Sequence, residues 1–437
     1  MRIVPGAVVI LAMLCLVVPA SGADLPTPDD QLTALVEEAL QNNPDLQAGR
    51  ERWEMFQHKI APARSLEDPV LGIAFSNYPI DSFQADQTPM TGNEIRIAQK
   101  FPFPGKLDAK GDVARQQALW YQAVFEDSRL RLASQVKDTF YRLYFVEQAI
   151  AVTEKNLQIL DSFISLTMTR YEVGKGLQQD VLKAQVEQSK LLDKLLALRQ
   201  QRLSMQSGLT RLLGRATPVT PAFAGELALV PPESDANRLK ELARQHRPLF
   251  TAYEALINRY ATQRKLADLD YYPNFNLWTS YRFRDDDLPD RGTDFVSVGV
   301  AINLPIWREK RAEAVAEADS GVRMARSQFD EFRNQVDFAI DDALASLEKN
   351  HRQAQLFQSG IIPQAQQSFD ASLAAYQVGK VELLSLLDGL MTLYRYQIDY
   401  QRALTDGLRD VARLEAATGT PLPEGLTTPD PSNQNGN

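Results

Sequence analysis

The chain has 437 residues, 44% hydrophobic, 24% charged and 8% aromatic, with a formal net charge of −9 and one cysteine. This is enough apolar material for a sizeable core and excludes wholesale disorder, while 47 Lys and Arg against 56 Asp and Glu exclude a nucleic-acid binder, which needs a basic face to displace phosphate counterions. The lone Cys15 excludes a disulfide scaffold, and after residue 20 there is no run of about 18 uncharged apolar residues, the minimum for a spanning helix.

Residues 1–23 read as a signal peptide: Arg2, an apolar stretch from Val8 to Val18, then Pro19 to Ala23 with small residues three and one before Asp24. Ala12-Met13-Leu14 before Cys15 lacks the small residue of a lipobox, so no lipid anchor is expected. Cleavage would leave an exported chain without cysteine.

Helical composition follows over Asp29–Arg64, with a break expected at Asn43-Pro44. Two alternating segments, Val70–Ser76 and Glu94–Phe101, flank a polar loop; in the second, Ile95 and Ile97 oppose Glu94, Arg96 and Ala98. From Asp108 to Tyr171 Gly and Pro are scarce. Apolar residues from Phe125 to Met168 recur at steps of three, four or seven, the seam of a coiled coil. That stretch predicts a helix of about 95 Å at 1.5 Å per residue. A turn at Tyr171-Glu172-Val173-Gly174-Lys175 precedes a returning helix over Gln178–Leu213.

The plan then repeats. A helix is expected over Ala236–Leu269, strands near 274–283 and 294–304, and a second long seam from Phe329 to Leu373, which Pro363 should kink without ending. The turn Tyr376-Gln377-Val378-Gly379-Lys380 and a helix over Val381–Thr418 follow, then a Pro/Asn-rich tail, 421–437, expected to be mobile. Pro44 matches Pro248, Pro69 matches Pro273, Pro102 matches Pro305, and the two Tyr-x-Val-Gly-Lys turns match each other, all at an offset near 204. The chain thus divides into repeats over 24–235 and 236–420.

Four strands, each apolar on one face and polar on the other, suit a membrane barrel, although a half-buried soluble sheet alternates in the same way. The long seams favour the barrel reading. A closed barrel needs at least eight strands, so several copies would have to share one. The fold class expected is mainly α with a β-barrel part: a long coiled-coil barrel plus four strands per protomer.

These landmarks, the turns Arg170–Gly176 and Tyr376–Lys380, and the whole duplicated plan resemble the TolC-like outer membrane factor family. Gln99-Lys100-Phe101-Pro102-Phe103-Pro104-Gly105-Lys106 resembles the strand-to-helix junction of its heavy-metal, CzcC-like and CusC-like branch. The resemblance implies a homotrimer with a twelve-stranded barrel in outer-membrane lipid and a helical tunnel through the periplasm of a Gram-negative bacterium. It also implies docking to a periplasmic adaptor, or membrane fusion protein, fed by an inner-membrane pump of the resistance-nodulation-division type. The docking tips would be Gly174, Lys175, Gly176, Gly379 and Lys380, and the barrel-to-helix junctions Pro102, Pro104, Gly105 and Pro305. Asp388 falls at an aspartate ring of the periplasmic entrance, Ser385 where a second aspartate is usual, and Asp180 at a tip aspartate of the first repeat. Val381 replaces a gate-locking arginine, so that lock does not transfer. Three Asp388 side chains would favour cation passage.

No enzymatic constellation emerges. His58, His246 and His351 have no partner at ligand spacing, no phosphate loop or nucleophile elbow occurs, and no catalytic residue, cofactor or bound metal is expected. Asp285-Asp286-Asp287 with Asp290 makes an acidic external loop, read as solvated. The expected function is a passive exit duct for heavy-metal cations. The same channel serving multidrug efflux or type I secretion is the alternative, and a soluble periplasmic coiled-coil scaffold a remoter one.

Overall fold

A computed structural model describes residues 28–221, 223, 227–232, 235–288 and 291–422. The expected signal peptide, Cys15, Asp290 and the tail from residue 423 lie outside the described residues.

The first repeat opens with α1 (Pro28–Asn42), α2 (Pro44–Gln57) and the single turn α3 (Ile60–Arg64). Proline at the first position of α2 supplies no amide to the preceding turn, and Asn43 caps the new helix by accepting from the Leu46 amide at 3.0 Å. Strands β1 (Val70–Ser76) and β2 (Gly92–Phe101) follow, then α4 (Lys106–Glu172) and α5 (Gln178–Leu212). The second repeat has α6 (Ala236–His246), α7 (Pro248–Leu269), β3 (Phe275–Phe283), β4 (Phe295–Ile302), α8 (Arg308–Leu356), α9 (Ile362–Gln377) and α10 (Leu383–Thr418). The single helix expected over Ala236–Leu269 is therefore two. Pro248 breaks it where Pro44 breaks the first, for the same reason.

The 67 residues of α4 make a rod of about 100 Å. Its seam residues Leu132, Val136, Phe140, Leu143, Val146 and Leu160 are buried, whereas Met168, near the end, is 46% exposed. The second rod is not continuous α-helix: one π turn, Phe357–Ile361, joins α8 to α9 just before Pro363. The loosened turn absorbs one additional residue. Val136 corresponds to Ile340, 204 positions on, but Tyr171 to Tyr376, 205 on, and an inserted residue in a helix is what a π turn accommodates. The seam continues beyond it, with Phe369 buried.

Buried side chains form one cluster along the coils from Val146 to the tips, and two more where α1 and α2, and α6 and α7, pack on the middle of α4 and α8. The sheet lies beyond these, at the opposite end from the tips. Its order is β1-β2-β3-β4, antiparallel throughout. The register aligns Leu71 with Ile97, Ile97 with Thr279 and Thr279 with Val298, and aligns Ile73, Ile95, Tyr281 and Val296 likewise. One face is thus apolar across all four strands, and its side chains are open, Ile73 at 66% and Val298 at 78%. A half-buried soluble sheet would cover such a face with its own chain, so an uncovered apolar surface of this extent requires another apolar phase. Strands β1 and β4 are free edges, which cannot persist in lipid unless paired with further strands.

Candidate functional site: the coil tips and the barrel junction

The tips of the two repeats are built alike. Gly174 and Gly379 adopt left-handed backbone, φ 69° and 76°, which a side chain would strain. In each turn the glycine amide bonds the tyrosine carbonyl three residues back at 3.0 Å, and the following lysine amide reaches five back, Lys175 to Arg170 at 2.8 Å and Lys380 to Ala375 at 2.9 Å. These bonds satisfy carbonyls that a helix end leaves unpaired. Gly176 serves differently: a Cβ there would stand 3.1 Å from that of Arg170. Both tips present Val, Gly and Lys to solvent, with Val173 62% and Val378 69% exposed.

Arg170, the first residue of the turn Arg170–Gly176 and given no role by its sequence, joins the two tips. Its guanidinium donates to the Tyr376 carbonyl at 2.8 Å and lies over the Tyr376 ring at 4.8 Å. Tyr376 is 5% exposed. A charged donor on a carbonyl combined with a ring face is among the stronger polar contacts available to arginine. Its sequence signal is faint: Arg170 matches Ala375 in the other repeat.

Ser385 and Asp388 stand one turn apart on α10, and both are exposed. Asp388 lines a groove of about 470 Å³ between α5 and α10, floored by Leu182, Val186, Leu384, Leu387 and Met391, with Lys183 on its rim. Ser385 and Asp180 do not line it. Asp180 is half-buried in the first turn of α5, where a carboxylate complements the helix dipole. Val381 packs partly buried against the apolar cluster of the coils.

At the barrel end, Gly105, φ 88°, turns the chain into α4. The Phe103 amide donates to Asn274 Oδ1 at 3.1 Å, and the Phe103 ring stacks on Tyr272 at 4.5 Å between centroids. Lys106, 5% exposed along its side chain, donates to the Tyr272 carbonyl and Asn274 Oδ1 at 3.0 and 2.9 Å and pairs with Asp270 at 3.1 Å. A buried ammonium needs this saturation. The octapeptide that carried the branch resemblance thus pins the end of β2 to the end of α7, with Pro102 and Pro104 in the linking turn. In the second repeat the junction after Pro305 is open instead, with Ile306 67% and Trp307 72% exposed.

The described residues contain no helix long and apolar enough to cross a membrane. The exposed apolar face of the sheet is a surface suited to lipid. Comparison with known proteins agrees. The family model for outer membrane efflux proteins matches the chain twice, over residues 35–215 and 239–420, and the chain belongs to that family. It is 24% identical over 372 residues to the cobalt-zinc-cadmium resistance protein CzcC of Cupriavidus metallidurans, covering 84% of this chain and 85% of that one. It is 23% identical over 418 residues to the outer membrane efflux protein BepC of Brucella suis, covering 89% and 85%. Among solved structures, CusC superposes with a TM-score of 0.77 at 15% identity over 92% of this chain and 96% of its own. VceC of Vibrio cholerae superposes with 0.75 at 20% identity over 90% and 97%. The chain therefore has the TolC-like fold and is an efflux protein of the outer membrane that extends into the periplasm.

Proposed function

We propose that three copies of this chain form the exit duct of a tripartite system that expels heavy-metal cations. The observation that carries the duct is the placement of parts. An uncovered sheet with two free edges stands at one end of coils about 100 Å long, and paired glycine tips stand at the other. Pairing β4 of one copy with β1 of the next closes twelve strands, apolar side to lipid, and leaves no edge in the membrane. The helices continue the tube into the periplasm. The exposed Val-Gly-Lys tips are the surface for a periplasmic adaptor, and energy comes from an inner-membrane pump of the resistance-nodulation-division type.

The cation reading is supported by the resemblance to CzcC and by Asp388, solvent-facing close to the tips. Around a threefold axis the three carboxylates concentrate cations at the entrance. Metal ions are cargo here and move along the wall without being retained. Two measurements test the reading. Deleting the gene should sensitise cells to Co, Zn, Cd, Cu or Ag more than to dyes and detergents; the opposite profile would transfer the duct to organic compounds. In planar bilayers Asp388→Ala should lower cation selectivity, and unchanged selectivity removes Asp388 from the entrance ring.

A further inference from the structure

The polar face of the sheet carries a three-strand stack. Arg96 of β2 lies over the Trp278 ring of β3, 4.1 Å from its centroid. The indole in turn lies against Gly299 of β4, so closely that a Cβ there would meet ring atoms at 2.4 Å. The register places Trp278 between Ala98 and Gly299. Small residues on both neighbouring strands thus give the ring room to lie along the sheet.

Other basic side chains of this face are paired with carboxylates: Arg282 meets Glu94 at 3.5 Å, and Lys100 meets Glu67 at 3.1 Å. Arg96 is held by a ring. The distinction matters electrostatically, because a carboxylate partner cancels the charge it positions, whereas an aromatic face positions a guanidinium and leaves its formal charge intact. Arg96 is also exposed, so in the closed barrel proposed above that charge would face the lumen.

We propose that Arg96 is a charge-selectivity residue of the barrel, its guanidinium fixed on Trp278 and Gly299 so that three copies form a basic ring that draws small inorganic anions into the lumen. This rests on the duct reading above, in which three sheets close with the polar face inward. Its consequence is that the two ends of the duct carry opposed charge. Asp388 gathers cations near the tips, and Arg96 gathers anions at the exit, where a cation leaves in the company of counter-ions. The seat is specific to the second repeat: Gly299 and Trp278 face each other across β3 and β4, and in β1 and β2 the corresponding face carries Gly72 and Ala74 opposite Arg96 and Glu94.

The test uses the full-length protein reconstituted in planar bilayers under a potassium chloride gradient, with the chloride-to-potassium permeability ratio read from the reversal potential. Arg96→Gln should lower that ratio by roughly threefold or more, in line with the concentration of counter-ions by a one-signed surface. Arg96→Lys, which keeps the charge, should hold it near the wild-type value. In the Asp388→Ala channel, where the entrance ring no longer opposes Arg96, the ratio should also fall toward the bulk value as salt rises from about 0.1 to 1 M, because the screening length shrinks from about 10 to 3 Å. This arm leaves every barrel residue unchanged. A ratio unchanged in an assembled Arg96→Gln channel, or insensitive to salt in the Asp388→Ala channel, overturns the proposal. Failure of the duct reading is distinguishable, since the wild-type protein would then form no channel at all.

Discussion

The two repeats share one plan, and the positions at which they differ show what each does. In both, the returning helix ends on a left-handed glycine wedged into the proline break of the opening helices. Gly214, φ 67°, packs against Asn42 next to Pro44, and Gly419, φ 79°, against Arg247 next to Pro248. The residue before each proline differs. In repeat one Asn43 is buried, caps α2, and donates to the Leu212 carbonyl at 2.9 Å, tying α5 to the break. In repeat two Arg247 has no capping bond and instead reaches Asp127 of α4 at 3.2 Å, a carboxylate 1% exposed that also pairs with Arg131. One repeat closes its joint internally, and the other uses the same position to grip its twin. The same asymmetry recurs at the tips, where Arg170 clasps Tyr376 and Ala375 offers nothing in return. In the proposed trimer, identical halves would approach sixfold symmetry, and these substitutions would lower it to threefold.

The comparison breaks most sharply at the glycines. Gly214→Ala and Gly419→Ala should each cost about 3 kcal/mol, combining left-handed strain with a Cβ forced against backbone. That Cβ would stand 2.6 Å from the Asn42 carbonyl oxygen in the first case and 2.8 Å from Arg247 backbone in the second. Chemical unfolding in detergent, followed by far-UV circular dichroism, measures both. A cost in one repeat alone would show that the joints are not equivalent. Asn43→Ala should cost about 2 kcal/mol in the same assay, since it removes a cap and leaves the Leu212 carbonyl unpaired.

The smallest effect expected is at a buried pair that repeat one does not have. Asn350 donates to Asp410 at 2.8 Å, both 4% exposed, where the other repeat carries Val146 and Met205. Burial pushes the Asp410 carboxyl above its ordinary value, with Asp406 adding to the rise and the Asn350 bond and Arg413 opposing it. A carboxyl raised in the fold penalises the folded state at every pH above its folded pKa. The penalty lifts as pH falls through that value toward the unfolded one. Installing the residues of repeat one, Asn350→Val with Asp410→Met, should therefore stabilise the protein by about 1 kcal/mol at pH 7, and the advantage should shrink toward pH 4. An advantage constant with pH would show that Asp410 stays charged throughout.

Much of the fold was legible in the residues because it is written in periods. The seam spacing marked the long helices, alternation marked β1 to β4, and the Tyr-x-Val-Gly-Lys turns marked the tips. The second break at Pro248 was missed although its twin at Pro44 was read. The π turn left only a one-residue change of offset between halves, which has meaning once the helix is seen to be continuous there. At the candidate site, glycine turns were visible because a left-handed φ restricts residue choice at a single position. Arg170 and Lys106 lie inside the quoted turn and junction, but their contacts, like the Arg96-Trp278-Gly299 stack, were not visible, because each is defined by partners tens to hundreds of positions away.

By itself the sequence determined the duplicated plan, the length of the rods and the polarity of each strand face, and it set the expectation that a closed barrel takes more than one copy, since all follow from hydrophobic period and strand count, which are local properties. Tertiary structure alone decided the strand order that leaves β1 and β4 free, which arginines are neutralised and which keep their charge, and how one repeat grips the other. Those depend on cross-strand register and on contacts between distant segments, which form when the chain packs and have no counterpart in the order of residues.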